Sequence, residues 1–391
     1  MKYSDITKLK HLAKDKQSKS ANPAIVRNST VLFKTMEDII RHRKLVDSDK
    51  KVDFYEYGRR GSQTTIFLQN FIAELEQAHD VFLTPTGFSA IALSIMAICK
   101  SGDEIIVSDG LYKATRVFTT KILKEFNIKT KFYNPEDLKN LKNNISKKTK
   151  MIFVENPGSN TFEFQDLSKI IKIAKKRKII TAIDNTWGTP FLIKPLNIGF
   201  DMSISSGTKY LSGHSDVMLG SLAVNKKVYE RVRFCNKLLG YRASPDDSYL
   251  VLRGLRTLDI RLKKHEENTK KIVNFLKKEK KIKEILYPHK KGSENYENWK
   301  KYYSGSTGLF SVVINSKNRN SIYKFVNSLK LFGIGQSWGG FESLVLYQSH
   351  VIQRVYKKYV RPNLHIVRFH IGLEDPKDLI EDLKKAIKKI K

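Results

Sequence analysis

The sequence predicts an α/β chain with a largely parallel sheet, followed by a smaller α+β domain. Three observations lead there. Short apolar runs closing on polar residues recur between residues 80 and 206, some separated by amphipathic segments. That order is expected of parallel strands joined by helical crossovers. After about residue 250 the pattern changes. Finally, 391 residues exceed the size at which one hydrophobic core stops growing, so two domains are expected.

Residues 1 to about 60 are polar and weakly periodic and are expected as an extended arm. TIFLQNFIAELEQAHD then spaces its apolar residues as a helix does, and VFLTP follows as a short strand. GFSAIALSIMAICKSG is apolar nearly all round and ends at Ser101-Gly102, which predicts a buried helix. DEIIVSD, KTKFYN, KMIFVEN, KIITAIDN and DMSISS are the next strands, with DLSKIIKIAKKRK an amphipathic helix among them. In the C-terminal part LFSVVIN, LVLYQS and LHIVRFHIG are expected to be strands, and IYKFVNSLKLF and DLIEDLKKAIKKI helices. The expected division is an arm over 1–60, a large domain over 61–250 and a smaller one over 251–391. No internal repeat is visible, and low complexity is confined to lysine-rich helix faces.

Lys+Arg 72 against Asp+Glu 39 leaves a net charge of +33. A charge that large raises the possibility of a nucleic-acid-binding protein or an anionic-membrane partner. The basic residues are spread over the whole chain, however, and no zinc-finger spacing or RNA-binding aromatic motif accompanies them. A lysine-rich solvated surface accounts for the charge, and neither nucleic acid nor membrane is expected as a partner. Cys99 and Cys235 are the only cysteines, which offers no disulfide framework or Cys-rich metal site. The N-terminus lacks an apolar signal core, and no apolar run is long enough to span a bilayer. A soluble, cytoplasmic protein is expected.

One lysine stands apart. In SISSGTKYLSGHSD, residues 203–216, Lys209 is the only Lys or Arg between Lys194 and Lys226. Many other lysines sit in charged runs; this one lies among serines, glycines and a threonine. A lysine is a useful nucleophile only when its amine loses its proton, which a partly desolvated site encourages. By itself such a lysine is equally well an ordinary loop residue. Asp184 ends an apolar strand in TAIDNTWGTP, at the strand end where ligands of parallel sheets bind; alone, it would more simply cap a turn. Together, an acid and a lysine closing successive strands would face one crevice. Pyridoxal phosphate needs that pair, an amine to bond its aldehyde and a carboxylate to keep its ring nitrogen protonated. Its phosphate needs donors as well. Gly87 and Phe88 open the apolar helix, whose first amides and positive end favour an anion. Ser206 and Thr208 add hydroxyls.

SSGTKYLSGHSD resembles the lysine signature of the Cys/Met-metabolism family of pyridoxal-phosphate enzymes. YGRRGS at 57–62, ENPGS at 155–159, IDNTW at 183–187, SWGGFES at 337–343 and RFHIGLED at 368–375 match it too. The matches run in order from about residue 25 to the C-terminus. The resemblance implies an aspartate-aminotransferase type of fold with pyridoxal 5′-phosphate as cofactor. Lys209 then corresponds to the cofactor-bonding lysine, Asp184 to the partner of the ring nitrogen, and Tyr112 in DGLYKATR to the tyrosine stacked on the ring. Tyr57 and Arg59 correspond to phosphate ligands that the family supplies from a neighbouring subunit. A homo-oligomer, dimer or tetramer, with shared active sites is therefore implied. Gly87, Phe88, Ser206 and Thr208 match the remaining phosphate contacts. Arg368 matches the arginine that holds the substrate α-carboxylate, where a planar guanidinium offers two parallel bonds. Ser337 and Trp338 shape that end of the site, and His214 and Asp216 are expected only to support it.

YGRRGS, ENPGS with Ser159 where relatives often carry Asn, and Trp338 after Ser337 lean towards the branch that cleaves cystathionine by β-elimination. The implied reaction takes a small amino-acid substrate, L-cystathionine, to homocysteine, pyruvate and ammonia. γ-Synthase, γ-lyase and methionine-lyase relatives share most of these residues, so those activities stay open. So does amino-acid racemisation, on alanine for example, with Lys209 and Tyr112 as acid–base groups.

Overall fold

A computed structural model describes residues 3–12, 20–48, 55–288, 291, 295–349, 352–356 and 363–391. Two sheets organise them. The larger contains β1 (Asp80–Thr84), β2 (Glu104–Ser108), β3 (Lys129–Tyr133), β4 (Thr149–Glu155), β5 (Ile180–Asp184), β6 (Met202–Ser206) and β7 (Gly220–Val224). Their order is β1-β7-β6-β5-β4-β2-β3. The pairs from β3 through β6 are parallel, and β7 runs antiparallel to both its neighbours. Burial of β1 and β2 on both faces explains why these strands read as continuous apolar runs. The expected α/β class with a largely parallel sheet is what the chain adopts. β7 is not predicted from the sequence, because GSLAV opens on Gly-Ser and carries no clear alternation of its own.

The smaller sheet holds β8 (Ile282–Leu286), β9 (Leu309–Asn315), β10 (Gly333–Ile334), β11 (Leu344–Tyr347) and β12 (Leu364–His370), in the order β10-β11-β12-β9-β8. Only the β10–β11 pair is parallel. Helices Arg319–Ser328 and Pro376–Ile387 cover it, burying Ile322, Phe325, Leu379 and Leu383 against Phe310 and Phe369.

The N-terminal stretch departs from expectation. It contains helices Asp5–His11 and Met36–Asp47 rather than extended chain throughout; residues 1–2, 13–19 and 49–54 of that predicted arm lie outside the described residues. Ser4 and Thr35 cap these helices, each accepting a backbone N–H from the first turn. The first helix is too short to stand alone and is held by tertiary contacts. Leu9 is fully buried, Lys8 pairs with Glu74 at 2.5 Å, and Lys10 pairs with Asp259 at 2.6 Å. Weak periodicity conceals both helices: the first is held by its cap and its docking rather than by an apolar stripe, and the second is capped by Thr35.

Candidate active site

The site is assembled where β4, β5 and β6 end. Parallel pairing sets Glu155 beside Asp184, and Asp184 beside Ile204 of β6. Polar residues that close these strands are therefore delivered to one edge of the sheet. Thr186, two residues past β5, ties the ends together. Its hydroxyl donates to Asp184 Oδ1 at 2.6 Å and receives the Ser206 N–H at 2.9 Å. Burial raises the Asp184 carboxyl above its usual range, against the two bonds from Thr186. Burial likewise holds Glu155 well above the carboxylate range, with the charge of Asp184 adding to it.

Past β6 the chain makes a tight turn, Gly207–Leu211, in which Lys209 leaves helical geometry at φ −93, ψ −123. Its Nζ donates to Ser337 Oγ at 2.8 Å and lies 5.5 Å from the centroid of the Trp338 ring. A ring face favours a cation, yet burial and the nearby Arg368 charge outweigh it and pull the ammonium down to about 8. About a tenth of such an amine is neutral at pH 7, against well under a thousandth for an ordinary lysine.

Opposite, Thr86 caps helix Gly87–Met96 by receiving the Ser89 N–H at 3.0 Å. The amides of Gly87 and Phe88 precede the helix's first bond, from Ala90 N–H to Thr86 O, so they have no acceptor within the helix. Glycine is required at 87 by close approach: a Cβ there would stand 2.6 Å from Ser206 Cβ and 2.7 Å from its Oγ. Thr208 joins this end, its hydroxyl receiving the Leu219 N–H at 3.0 Å.

Arg368 reaches the site from the middle of β12. Its Nη2 donates to Gln336 O at 2.8 Å and Ser337 O at 3.3 Å. Burial lowers the guanidinium to about 10, so it stays charged at neutral pH. Tyr112 stands across the cavity, half exposed, with its N–H donated to Glu155 Oε2 at 2.5 Å.

Gly87, Phe88, Tyr112, Asp184, Ser206, Thr208, Lys209, Ser337, Trp338 and Arg368 all line a single cavity of about 470 Å³. Tyr57 and Arg59 do not. Tyr57 is exposed, its backbone bridges Thr30, and Arg59 Nη1 donates to Lys237 O at 2.7 Å. His214 and Asp216 are exposed beside the Lys209 turn and do not line the cavity. Two cavity residues, Glu155 and Thr186, were not singled out in the sequence; each sits inside a quoted motif, ENPGS and IDNTW, and strand-end polarity was their only signal. No group of three or more His, Cys, Asp or Glu side chains among the described residues is arranged to hold a metal ion. No helix among them is long and apolar enough to cross a membrane.

This donor set fits pyridoxal 5′-phosphate. An amine of lowered proton affinity, a buried carboxyl, and a patch of helix-end amides and hydroxyls kept clear by Gly87 share one cavity. Such a cavity on a mostly parallel sheet flanked by a smaller α+β unit defines a pyridoxal-phosphate-dependent enzyme of fold type I. The chain belongs to the Cys/Met metabolism PLP-dependent enzyme family, whose model matches residues 7–388. It is similar to a cystathionine β-lyase of Haemophilus influenzae, 35% identical over 383 residues, 95% of this chain and 94% of that one. It is also similar to an L-alanine/L-glutamate racemase of Wolbachia pipientis, 34% identical over 381 residues, 95% of this chain and 93% of that one. Among solved structures, a cystathionine γ-synthase from Xanthomonas oryzae pv. oryzae in complex with aminoacrylate and cysteine superposes with a TM-score of 0.90. That match is 26% identical and covers 100% of this chain and 99% of that chain.

Proposed function

We propose that this enzyme cleaves L-cystathionine by β-elimination, giving homocysteine, pyruvate and ammonia with the uptake of one water. The observation that carries the reading is the convergence of Lys209 Nζ, held on Ser337 Oγ at 2.8 Å, and the Arg368 guanidinium in the cavity that Asp184 enters from the sheet. The likeness to the Haemophilus influenzae β-lyase supports the thioether as substrate.

Bound pyridoxal 5′-phosphate supplies the electron sink that makes the substrate Cα–H acidic. Asp184 would hold the ring nitrogen's proton; the helix end at Gly87 and Phe88, with the Ser206 and Thr208 hydroxyls, would hold the phosphate. Among the described residues both Arg368 bonds to carbonyls leave from Nη2, so the guanidinium keeps further donors for the substrate α-carboxylate. Lys209, once released from its covalent role, takes the Cα proton as general base. As the Cβ–S bond breaks, its electron pair leaves on sulfur, and a proton from Lys209 or Tyr112 completes homocysteine. The three-carbon remainder adds water and leaves as pyruvate and ammonia. Ser337 keeps the amine on the cavity side, and Trp338 walls the same end from water. Tyr57 and Arg59, remote from this chain's own cavity, serve the phosphate site of a second copy in a dimer or tetramer.

A second reading draws on the racemase relative. Lys209 and Tyr112 line the same cavity and are the acid–base groups racemisation needs. Cofactor-loaded protein given L-cystathionine separates the readings. Pyruvate is the expected product; 2-oxobutyrate would indicate γ-elimination instead. Loss of optical rotation from L-alanine without any keto acid would replace the lyase reading by the racemase.

A further inference from the structure

Lys209 owes its position to Ser337, and Ser337 lies on a loop, residues 335–343, between β10 and β11. One of the groups that fix that loop is a histidine the chemistry above does not use, beside the Ser215–Glu342 and Ser343–Glu374 bonds nearer its far end. Successive side chains alternate across a strand, so Arg368 and His370 of β12 share one face. Both reach the loop. Arg368 holds it at the carbonyls of Gln336 and Ser337. His370 Nε2 lies 3.1 Å from the Gly339 nitrogen and 3.0 Å from Gly340 O. One tautomer of the ring receives the Gly339 N–H, and the other donates to Gly340 O; either ties down the same stretch.

The loop has no slack at that point. Gly339 has φ +89, and a Cβ there would stand 2.8 Å from Tyr210 N and 2.9 Å from Lys209 C. The loop backbone is thus pressed directly on the backbone of the lysine turn. His370 is buried to 1% exposure. It sits beside the rings of His265 and Tyr210, at 5.1 and 5.9 Å between centroids. These rings fix its plane from behind.

We propose that His370 is a positioning residue: through the Gly339–Gly340 stretch it holds Ser337 against Lys209 Nζ, and so sets the amine's place in the cavity. The inference rests on the cofactor-binding reading of Lys209, but not on the identity of the substrate. A mere packing role would require only the ring's bulk; a positioning role requires a hydrogen-bonding atom where Nε2 stands. Two variants separate these. His370→Gln can place an amide oxygen or nitrogen near that point, whereas His370→Leu cannot.

Hydrogen exchange of the peptide carrying residues 336–341 is the primary readout. His370→Leu should speed its exchange about tenfold, the loss of one hydrogen bond, while His370→Gln stays within about threefold of the wild type. The pH midpoint of the bound cofactor's absorbance should follow the same order, displaced in the leucine variant and restored in the glutamine one. Should the leucine variant not fold, His370→Asn, whose amide is too short to reach, takes its place. Unchanged exchange and midpoint in the variant lacking the bond would overturn the proposal. So would equal changes in both variants, since the ring's packing would then be what matters. Neither readout needs a substrate, so a failure to cleave cystathionine leaves this test intact.

Discussion

The two sheets build the site in different ways. The larger delivers Asp184, Ser206 and, one turn later, Lys209 from strand ends; the smaller delivers Arg368 from within β12. At a strand end the backbone ladder is finished, and the side chain sits on irregular chain that can be shaped around a ligand. Within a strand the position is rigid but its direction is set by the pleat, so a mid-strand residue suits holding a ligand better than reacting with it. On this division the strand-end residues should carry the chemistry and the mid-strand residue the orientation. Substitutions in each set ought to differ in kind as well as in size.

The largest effect is expected at Lys209. With alanine there, the amine proposed to bond the cofactor and move the Cα proton is gone, and kcat should fall at least about a thousandfold. Residual turnover near wild type would remove Lys209 from the reaction and end the distinction between the sheets.

This contrast also explains what the sequence revealed. Asp184 is visible because it ends an apolar run, and Lys209 because a lone lysine among small residues contrasts with the many lysines that sit in charged runs. Arg368 was found only through the motif RFHIGLED: inside LHIVRFHIG a polar residue fits the alternation of any half-buried strand. Glu155 and Thr186 resemble ordinary turn residues until the parallel register sets β4 beside β5, a pairing that no local pattern encodes. Helix Asp5–His11 was missed for a related reason, since its partners Glu74 and Asp259 are far away in sequence. Short-range periodicity recovers elements; it does not recover which ends meet.

Arg368 comes next in size. Truncation to alanine should lower kcat/KM about a hundredfold, the loss of the charge-assisted contact proposed for the substrate carboxylate. Lysine should recover only part of it, because an ammonium cannot reproduce the guanidinium fork. The shape of the loss matters more than its size. If Arg368 orients substrate, part of the loss appears in KM, which saturating substrate overcomes. A loss confined to kcat, with KM unchanged, would place this mid-strand residue in the chemistry and blur the comparison.

The smallest effect tests whether position, rather than a shifted proton affinity, distinguishes the site. Glu76 is buried behind the larger sheet, where its Oε1 receives the hydroxyl of Ser203 at 3.0 Å. Ser203 points to the helix side of β6, while Ser206 closes the strand at the cavity. Burial raises the Glu76 carboxyl to about 7, with the Ser203 bond and the Lys194 charge opposing. A raised acid favours its protonated form in the fold. Its contribution is therefore fully present below the unfolded value of about 4.5 and is lost as pH rises through 7. Glu76→Gln, which never ionises, should melt about 2 °C or more above the wild type at pH 8, with the gap closing as pH falls towards 4.5. Activity should be unchanged, because Glu76 does not line the cavity. A gap independent of pH would mean that the fold leaves the Glu76 carboxyl at its unfolded value. A loss of turnover without a change in melting would extend the reacting set to the sheet's far face, against the rule that strand ends carry the chemistry.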